Sequence, residues 1–230
     1  MKREPSWDDV LAAAARLQRL VPDAVLVGGT AAAAHAKHRV SFDDDHVLDD
    51  LRTRFDDVLD HVERAEGWRT ARVNRPVLIL GSLDGVETGI RQLVRSRPLE
   101  LEELDTPAGT IRIPTLPEML RVKAWLILRR NATRDYLDTV ALAERLGGDQ
   151  AGAAVADLDA YYEDQLGASG RRIATQLAKQ LAEPAPYDLS NVDLREYRHL
   201  EKRWQDWDNV ARACEALAVA MLDRLSEESA

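Results

Sequence analysis

Apolar residues recur at helical spacing from Trp7 to Leu20, with Ser6 placed to cap the helix and Pro22-Asp23 to end it. Ala24 to Val27 is a short apolar strand. Gly28-Gly29-Thr30 makes a tight turn after it, and the alanine run from Ala31 to Lys37 favours helix, because alanine loses no side-chain entropy there. Arg39 to Val47 reads as extended, and Leu48 to Ala65 as a helix with an acidic outer side. Trp68 to Val73, Val77 to Leu80, Val86 to Val94 and Thr110 to Ile113 are strand-like, the last opened by the turn residues Pro107-Ala108-Gly109.

From Pro117 the pattern turns almost wholly helical. Thr115 can cap a helix that holds Pro117 in its first turn and runs to about Arg130, and Tyr136 to Leu146 follows, closed by Gly147-Gly148. Further helices are predicted at Ala151 to Leu166, Gly170 to Leu181 and Val192 to Leu225, with Glu183-Pro184-Ala185-Pro186 separating the last two. The fold class is therefore α+β: a small mixed sheet with helices over residues 1–114, then a helical domain over residues 115–230.

Composition fits this reading. The 230 residues are 45% hydrophobic and 31% charged, enough apolar material for a proper core. No apolar segment follows the N-terminus, so no secretory signal is expected. Runs such as Pro76 to Leu80 and Ala124 to Leu128 are too short to span a bilayer, so no membrane partner is expected and the cytoplasm is the expected compartment. The single cysteine, Cys214, excludes an internal disulfide and a thiolate zinc cluster and reads as helix filling.

The net charge of −9 argues against a chain coated in nucleic acid. Between Arg112 and Arg134, however, six basic residues (Arg112, Arg121, Lys123, Arg129, Arg130 and Arg134) face one acid, Glu118. Such a strip can bind phosphate inside an acidic protein, or can simply be a solvated helix face.

The most informative stretch is the glycine turn and the acids behind it. A strand that ends in Gly28-Gly29 and opens a helix presents backbone N–H groups to an anion, and Thr30 adds a hydroxyl for a phosphate oxygen. On an extended segment Asp43 and Asp45 project to one face, where like charges repel unless a cation lies between them. Magnesium bridging NTP phosphates is held by one or two such carboxylates, and a two-metal arrangement would acidify an acceptor hydroxyl and stabilise departing pyrophosphate.

Gly28-Gly29-Thr30, His35 and Arg39-x-Ser41-x-Asp43-x-Asp45 together resemble the first motif of the AbiEii/MenT-type nucleotidyltransferase toxins of the polymerase-β-like superfamily. Lys123 and Arg134-Asp135-Tyr136-Leu137-Asp138 are similar to that family's helical lysine and Arg-Asp-x-x-Asp motif, so the likeness covers roughly residues 24 to 146. The resemblance implies a magnesium-dependent NTP transferase, often the toxin of a toxin–antitoxin or phage-defence pair with a cognate antitoxin; some members extend tRNA 3′ ends. It makes Asp43 and Asp45 the metal ligands, with Gly28, Gly29, Thr30, Arg39, Ser41 and Lys123 toward the nucleotide. Two departures stand out. The third carboxylate of many such enzymes has only Asp84 and Glu87 as candidates, and the charged Asp44 occupies a position where a hydrophobe is common.

A fixed ammonium at Lys123 would stabilise charge growing on the leaving pyrophosphate. On a continuous helix Arg130, Arg134 and Asp138 fall close to the Lys123 face, within about 60°, and Asp135 points away, which favours Asp138 as the catalytic aspartate. If Asn131-Ala132-Thr133 breaks the helix that register is void, and Asp135 becomes either the working residue or an ion-pair partner of Arg134.

The remaining chemistry is quieter. His35 reads as a packed or capping histidine, and Trp204 and Trp207 as core or inter-helix residues rather than base platforms. No P-loop, zinc-protease or nucleophile-elbow pattern occurs. The expected function is NMP transfer from an NTP to an acceptor hydroxyl. The expected acceptor is the 3′ end of tRNA, whose backbone the strip around Arg121, Arg129, Arg130 and Arg134 would hold. The alternatives are a non-catalytic nucleotide- or RNA-binding regulator and a transferase for a small molecule or protein hydroxyl. Ser41 shares the face of Asp43, so phosphorylation there by an antitoxin kinase would add about −1.5 to −2 charges beside the metal site and silence the enzyme.

Overall fold

The computed structural model describes residues 4–166 and 172–227. The chain divides into two compact units, Met1–Ala31 with Ser41–Thr115, and Ala32–Val40 with Leu116–Ala230. The change of character near residue 115 seen in the pattern is thus joined by a second division, with the short segment 32–40 belonging to the helical unit.

In the first unit, α1 (Trp7–Leu20) opens with a capping box: Asp9 N–H donates to Ser6 Oγ, and Ser6 N–H donates back to Asp9 Oδ2. Five strands form one mixed sheet: β1 (Val25–Leu26), β2 (Asp43–Leu48), β3 (Trp68–Asn74), β4 (Leu78–Leu83) and β5 (Val86–Gln92). Their order is β1-β2-β5-β4-β3, with β2 and β5 parallel and the other neighbours antiparallel. One face packs onto α1 and α3 (Phe55–Glu63) through Leu17, Leu48, Phe55, Val58, Val62, Trp68, Ile79, Leu83 and Ile90. Gly81 lets the Trp68 indole lie flat on that face, where a Cβ would meet the ring at 2.6 Å. A separate hairpin, β6 (Leu101–Thr106) and β7 (Gly109–Pro114), completes the unit.

The helical unit contains α4 (Leu116–Arg130), α5 (Thr133–Leu146), α6 (Gly148–Ala156), α7 (Leu158–Tyr161), α8 (Ile173–Ala182) and α9 (Trp207–Glu227). Trp125 stacks on Tyr162 and Tyr136 meets Trp207 edge-on, the aromatic core contacts expected of an apolar helix face. Gly152 of α6 lies against the Ala220 backbone of α9, where any side chain would collide. Buried Cys214 has its thiol pushed up to about 12 by that burial, a packed and unreactive group.

Several expected elements change. Helix α2 (Gly28–Ala36) starts at the glycines themselves, Gly28 taking φ +72°. Strand β2 begins at Asp43 rather than Arg39, and the predicted helix at Leu48 starts only at Phe55. Strand β6, rich in acids, carried no apolar signal and is held by its pairing to β7. The single helix predicted from Val192 is a series of 3-10 turns before α9, and the predicted start of α8 at Gly170 lies outside the described residues.

Candidate functional site

The first unit carries a carboxylate group on the open face of its sheet. Asp43 and Asp45 are one pleat apart on β2 and share that face, with Asp43 exposed and Asp45 partly so. The parallel register sets Asp43 beside Glu87 and Asp45 beside Gly89 on β5, so the third candidate carboxylate, Glu87, falls on the same face one strand over. Asp45 Oδ1 lies 3.4 Å from Arg91 Nε. Glycines on both sides make room for the Asp45 carboxylate: a Cβ on Gly89 would meet its Oδ1 at 2.5 Å, and a Cβ on Gly28 its Oδ2 at 3.2 Å. The approach at Gly28 brings Asp45 to the start of α2, the end of a helix that favours negative charge. Asp84, the other candidate, is elsewhere, paired with Arg16.

The donors are hard oxygen ligands of the kind that hold magnesium through one or two carboxylates plus substrate phosphates, and the glycine-lined recess around Asp45 suits such a centre. Among the described residues no three His, Cys, Asp or Glu side chains converge closely enough to hold a metal by themselves. A cation here would therefore draw further ligands from the nucleotide.

Other motif residues are occupied differently from expectation. Thr30 is buried, and its hydroxyl donates to the Asp43 carbonyl at 2.5 Å rather than awaiting a phosphate. Ser41 is only 7% exposed, so a kinase would reach it only after local opening. His35 is half-buried. Asp44, the charged residue in a hydrophobe's place, points to the core face with His46 and Thr88. Burial raises the Asp44 carboxyl well above the usual range, helped by the charge of Asp45 and opposed by Thr88. Burial also pushes His46 down to about 3 against the pull of Asp44, its Nδ1 lying 3.2 Å from Asp44 Oδ1. His46 is thus neutral at pH 7.

In the helical unit a second group forms around Asp138. Its carboxylate accepts from Arg39 Nε at 2.7 Å and Arg39 Nη2 at 3.0 Å, lies 2.7 Å from Lys123 Nζ, and meets His38 Nε2 at 2.8 Å. All four side chains are at least nine-tenths buried. Burial alone would raise the Asp138 carboxyl, but Arg39, Lys123 and the His38 bond hold it well below the usual range. Arg39 is raised in turn: burial disfavours its charge and Asp138 more than restores it. Lys123, expected to meet a triphosphate, and Arg39, expected at the nucleotide, are committed here to a buried carboxylate.

The helix register also needs correction. Asn131, at φ +47°, ends α4, and α5 begins at Thr133, so Lys123 and Asp138 stand on different helices that pack together. Asp135 is buried and accepts from Arg130 Nε and Nη2, not from Arg134, which is exposed. Arg121 is buried, bonded to Glu118 and stacked over Tyr161, and Arg129 lies over Trp125. Of the strip, Arg121, Lys123 and Arg130 are thus held by carboxylates, while Arg129 and Arg134 are exposed. His38, Gly89, Arg91 and the Asp188 carboxylate that caps Thr133 went unnoticed in the sequence; a glycine inside a strand pattern was the available signal for Gly89.

No protein-family model matches the chain. It is similar to the heme uptake protein MmpL11 of Mycobacterium tuberculosis, 33% identical over 93% of this chain, and to the mycolic acid-containing lipids exporter MmpL11 of Mycolicibacterium smegmatis, 35% identical over 56% of it. The chain spans 22% of the length of the first and 13% of the second. Among the described residues no helix is long and apolar enough to cross a membrane. The crystal structure of a "putative nucleotidyltransferase" from H. pylori superposes with a TM-score of 0.55 at 14% identity, covering 96% of this chain and 95% of that one. At that identity the likeness is one of fold: this chain has an α+β fold similar to that of the H. pylori protein.

Proposed function

We propose that the chain transfers a nucleoside monophosphate from an NTP to an acceptor hydroxyl, with Asp43 and Asp45 as the metal-holding pair. The observation that carries the reading is the Asp45 carboxylate, recessed between Gly28 and Gly89 on the open face of the sheet with Asp43 beside it. Such a pair repels itself, contributes nothing to the core, and suits a divalent cation. When bound, magnesium supplies Lewis-acid activation of the phosphates. The first turn of α2 offers N–H groups that its helix ladder does not use, and these orient a phosphate beside Asp45. In the transfer the acceptor O–H loses its proton, a new O–P bond forms at the α-phosphorus, and the bond to pyrophosphate breaks. Glu87 supplies further negative charge one strand away.

The finer reading follows the motif resemblance: an AbiEii/MenT-type toxin, active in the cytoplasm with a cognate antitoxin, and acting on a tRNA 3′ end. The test is to incubate the protein with each α-labelled NTP, magnesium and cellular RNA. Labelled RNA is expected from the native chain and not from Asp43→Ala or Asp45→Ala, both still showing a cooperative thermal transition. Equal labelling by Asp45→Ala would overturn the assignment. Equal labelling of periodate-oxidised and intact tRNA would exclude 3′ extension.

A second reading rests on the identity to MmpL11 proteins over nearly the whole chain. In it the chain is a nucleotide-binding domain that regulates a transporter for heme or lipid, without transferring anything. NTP binding with no labelled product from any acceptor would favour it.

A further inference from the structure

The open face of the sheet extends beyond the acids. Pairing across β2, β5, β4 and β3 makes two side-by-side rows on it: Asp43, Glu87, Ser82 and Arg69, then Asp45, Gly89, Leu80 and Arg72. Arg69 and Arg72 are three apart in sequence and would fall on opposite faces of a regular strand. They share a face because the pairing of β3 with β4 shifts between Thr70 and Arg72, leaving Ala71 as the extra residue. The same shift returns Val73 to the core beside Ile79. Both arginines are exposed, and neither side chain has a hydrogen-bond or ion-pair partner among the described residues. By contrast Arg16, Arg54, Arg64 and Arg75 of the same unit each hold a carboxylate.

The face is thus acidic at β2 and basic at its far edge. Three strand spacings separate the Asp45 and Arg72 backbones, about 14 Å, and the two arginine rows are about 7 Å apart along the strands. A small acceptor bound at Asp45 would not reach the arginines. A phosphodiester strand several nucleotides long, crossing the sheet from β2 to β3, would, and would meet both arginines at that edge. The acids would repel its backbone everywhere except at the end admitted by a metal, which gives the strand a direction.

We propose that this face is the entry track for a single-stranded phosphodiester chain, Arg69 and Arg72 holding phosphates remote from the end that reacts at Asp43 and Asp45. The proposal rests on the transfer reading for the direction of the strand, and not for the binding itself. It moves the acceptor's binding surface from the helix strip around Arg129 and Arg130 to the edge of the sheet.

The experiment is fluorescence anisotropy on the full chain without NTP, using a labelled RNA octanucleotide, its DNA counterpart and an RNA dinucleotide. The double variant Arg69→Ala/Arg72→Ala should bind the octanucleotide roughly tenfold more weakly than the native chain. Its slope of log affinity against log salt should be shallower by about 1.4, or 0.7 for each phosphate that an arginine no longer neutralises. The dinucleotide should bind weakly to both proteins, and NTP binding and melting temperature should not change. An RNA preference over DNA identifies the strand as RNA; equal binding leaves any phosphodiester strand as the ligand, and both outcomes support the track. Native octanucleotide affinity in the double variant overturns it, as does arginine-dependent binding confined to phosphatidylserine vesicles. Weakened octanucleotide binding by the double variant, together with no NTP transfer by the native chain, would sink the transferase reading and leave the track standing.

Discussion

Carboxylates and cations meet in both units, under opposite conditions. Around Asp138 one buried acid is surrounded by Arg39, Lys123 and His38, every lone pair is directed at a donor, and the group ties segment 32–40 to α4 and α5. On the sheet, Asp43 and Asp45 stand near water with another acid, Glu87, beside them and one guanidinium at 3.4 Å. The first arrangement is what a protein needs to bury charge at all, since a buried ion left unpaired costs several kcal/mol. The second sets like charges beside one another near water, with Arg91 offsetting them in part. Residue type alone does not separate these cases; compensation and exposure do.

The sharpest way to break this comparison is Asp138→Asn. It keeps shape but leaves Arg39 and Lys123 buried together without their counter-charge, which should cost about 3–5 kcal/mol. In a chain of this size that lowers the melting temperature by roughly 10 °C. A calorimetric scan with an unchanged transition would show that the Asp138 group is not structural and would return Lys123 to the candidate nucleotide-binding residues.

Gly89→Ala probes the sheet group by shape. Its Cβ would displace the Asp45 carboxylate, and a displacement near 1 Å of a reacting-site group costs about a hundredfold in rate. Labelled-NTP transfer should fall by that order while the thermal transition stays near native. Full transfer would mean that the recess around Asp45 has no role.

Smaller still is the effect of Asp44. Its folded carboxyl is raised by burial, so the folded state holds the proton more tightly than the unfolded one. Stability from this group is complete below 3.8 and is lost as pH rises from there to the raised value. Asp44→Asn should therefore gain on the native chain with rising pH, by at most about 1.4 kcal/mol per unit. His46, lowered to about 3, has the opposite sign, losing its contribution as pH falls from 6.5, and it is common to both proteins. Parallel stability-against-pH curves would contradict the upward shift of the Asp44 carboxyl.

The sequence by itself determined the α+β class, the capped first helix and the placing of Asp43 with Asp45 on one strand face. These follow from local chemistry: periods of 2 and 3.6, and caps. It also singled out Lys123 and Asp138 together, but through a continuous helix that Asn131 interrupts. Only the tertiary structure decided that the two residues meet across a helix pair and that Arg39 and His38 complete the group. Nor could a strand pattern show that Glu87 lies beside Asp43, because strand partners are chosen by sheet order rather than by sequence distance. The placement of Arg69 and Arg72 was hidden for the same reason: a one-residue shift in pairing exchanges the faces of every residue beyond it, and that shift is set by Val73 and Trp68 seeking the core.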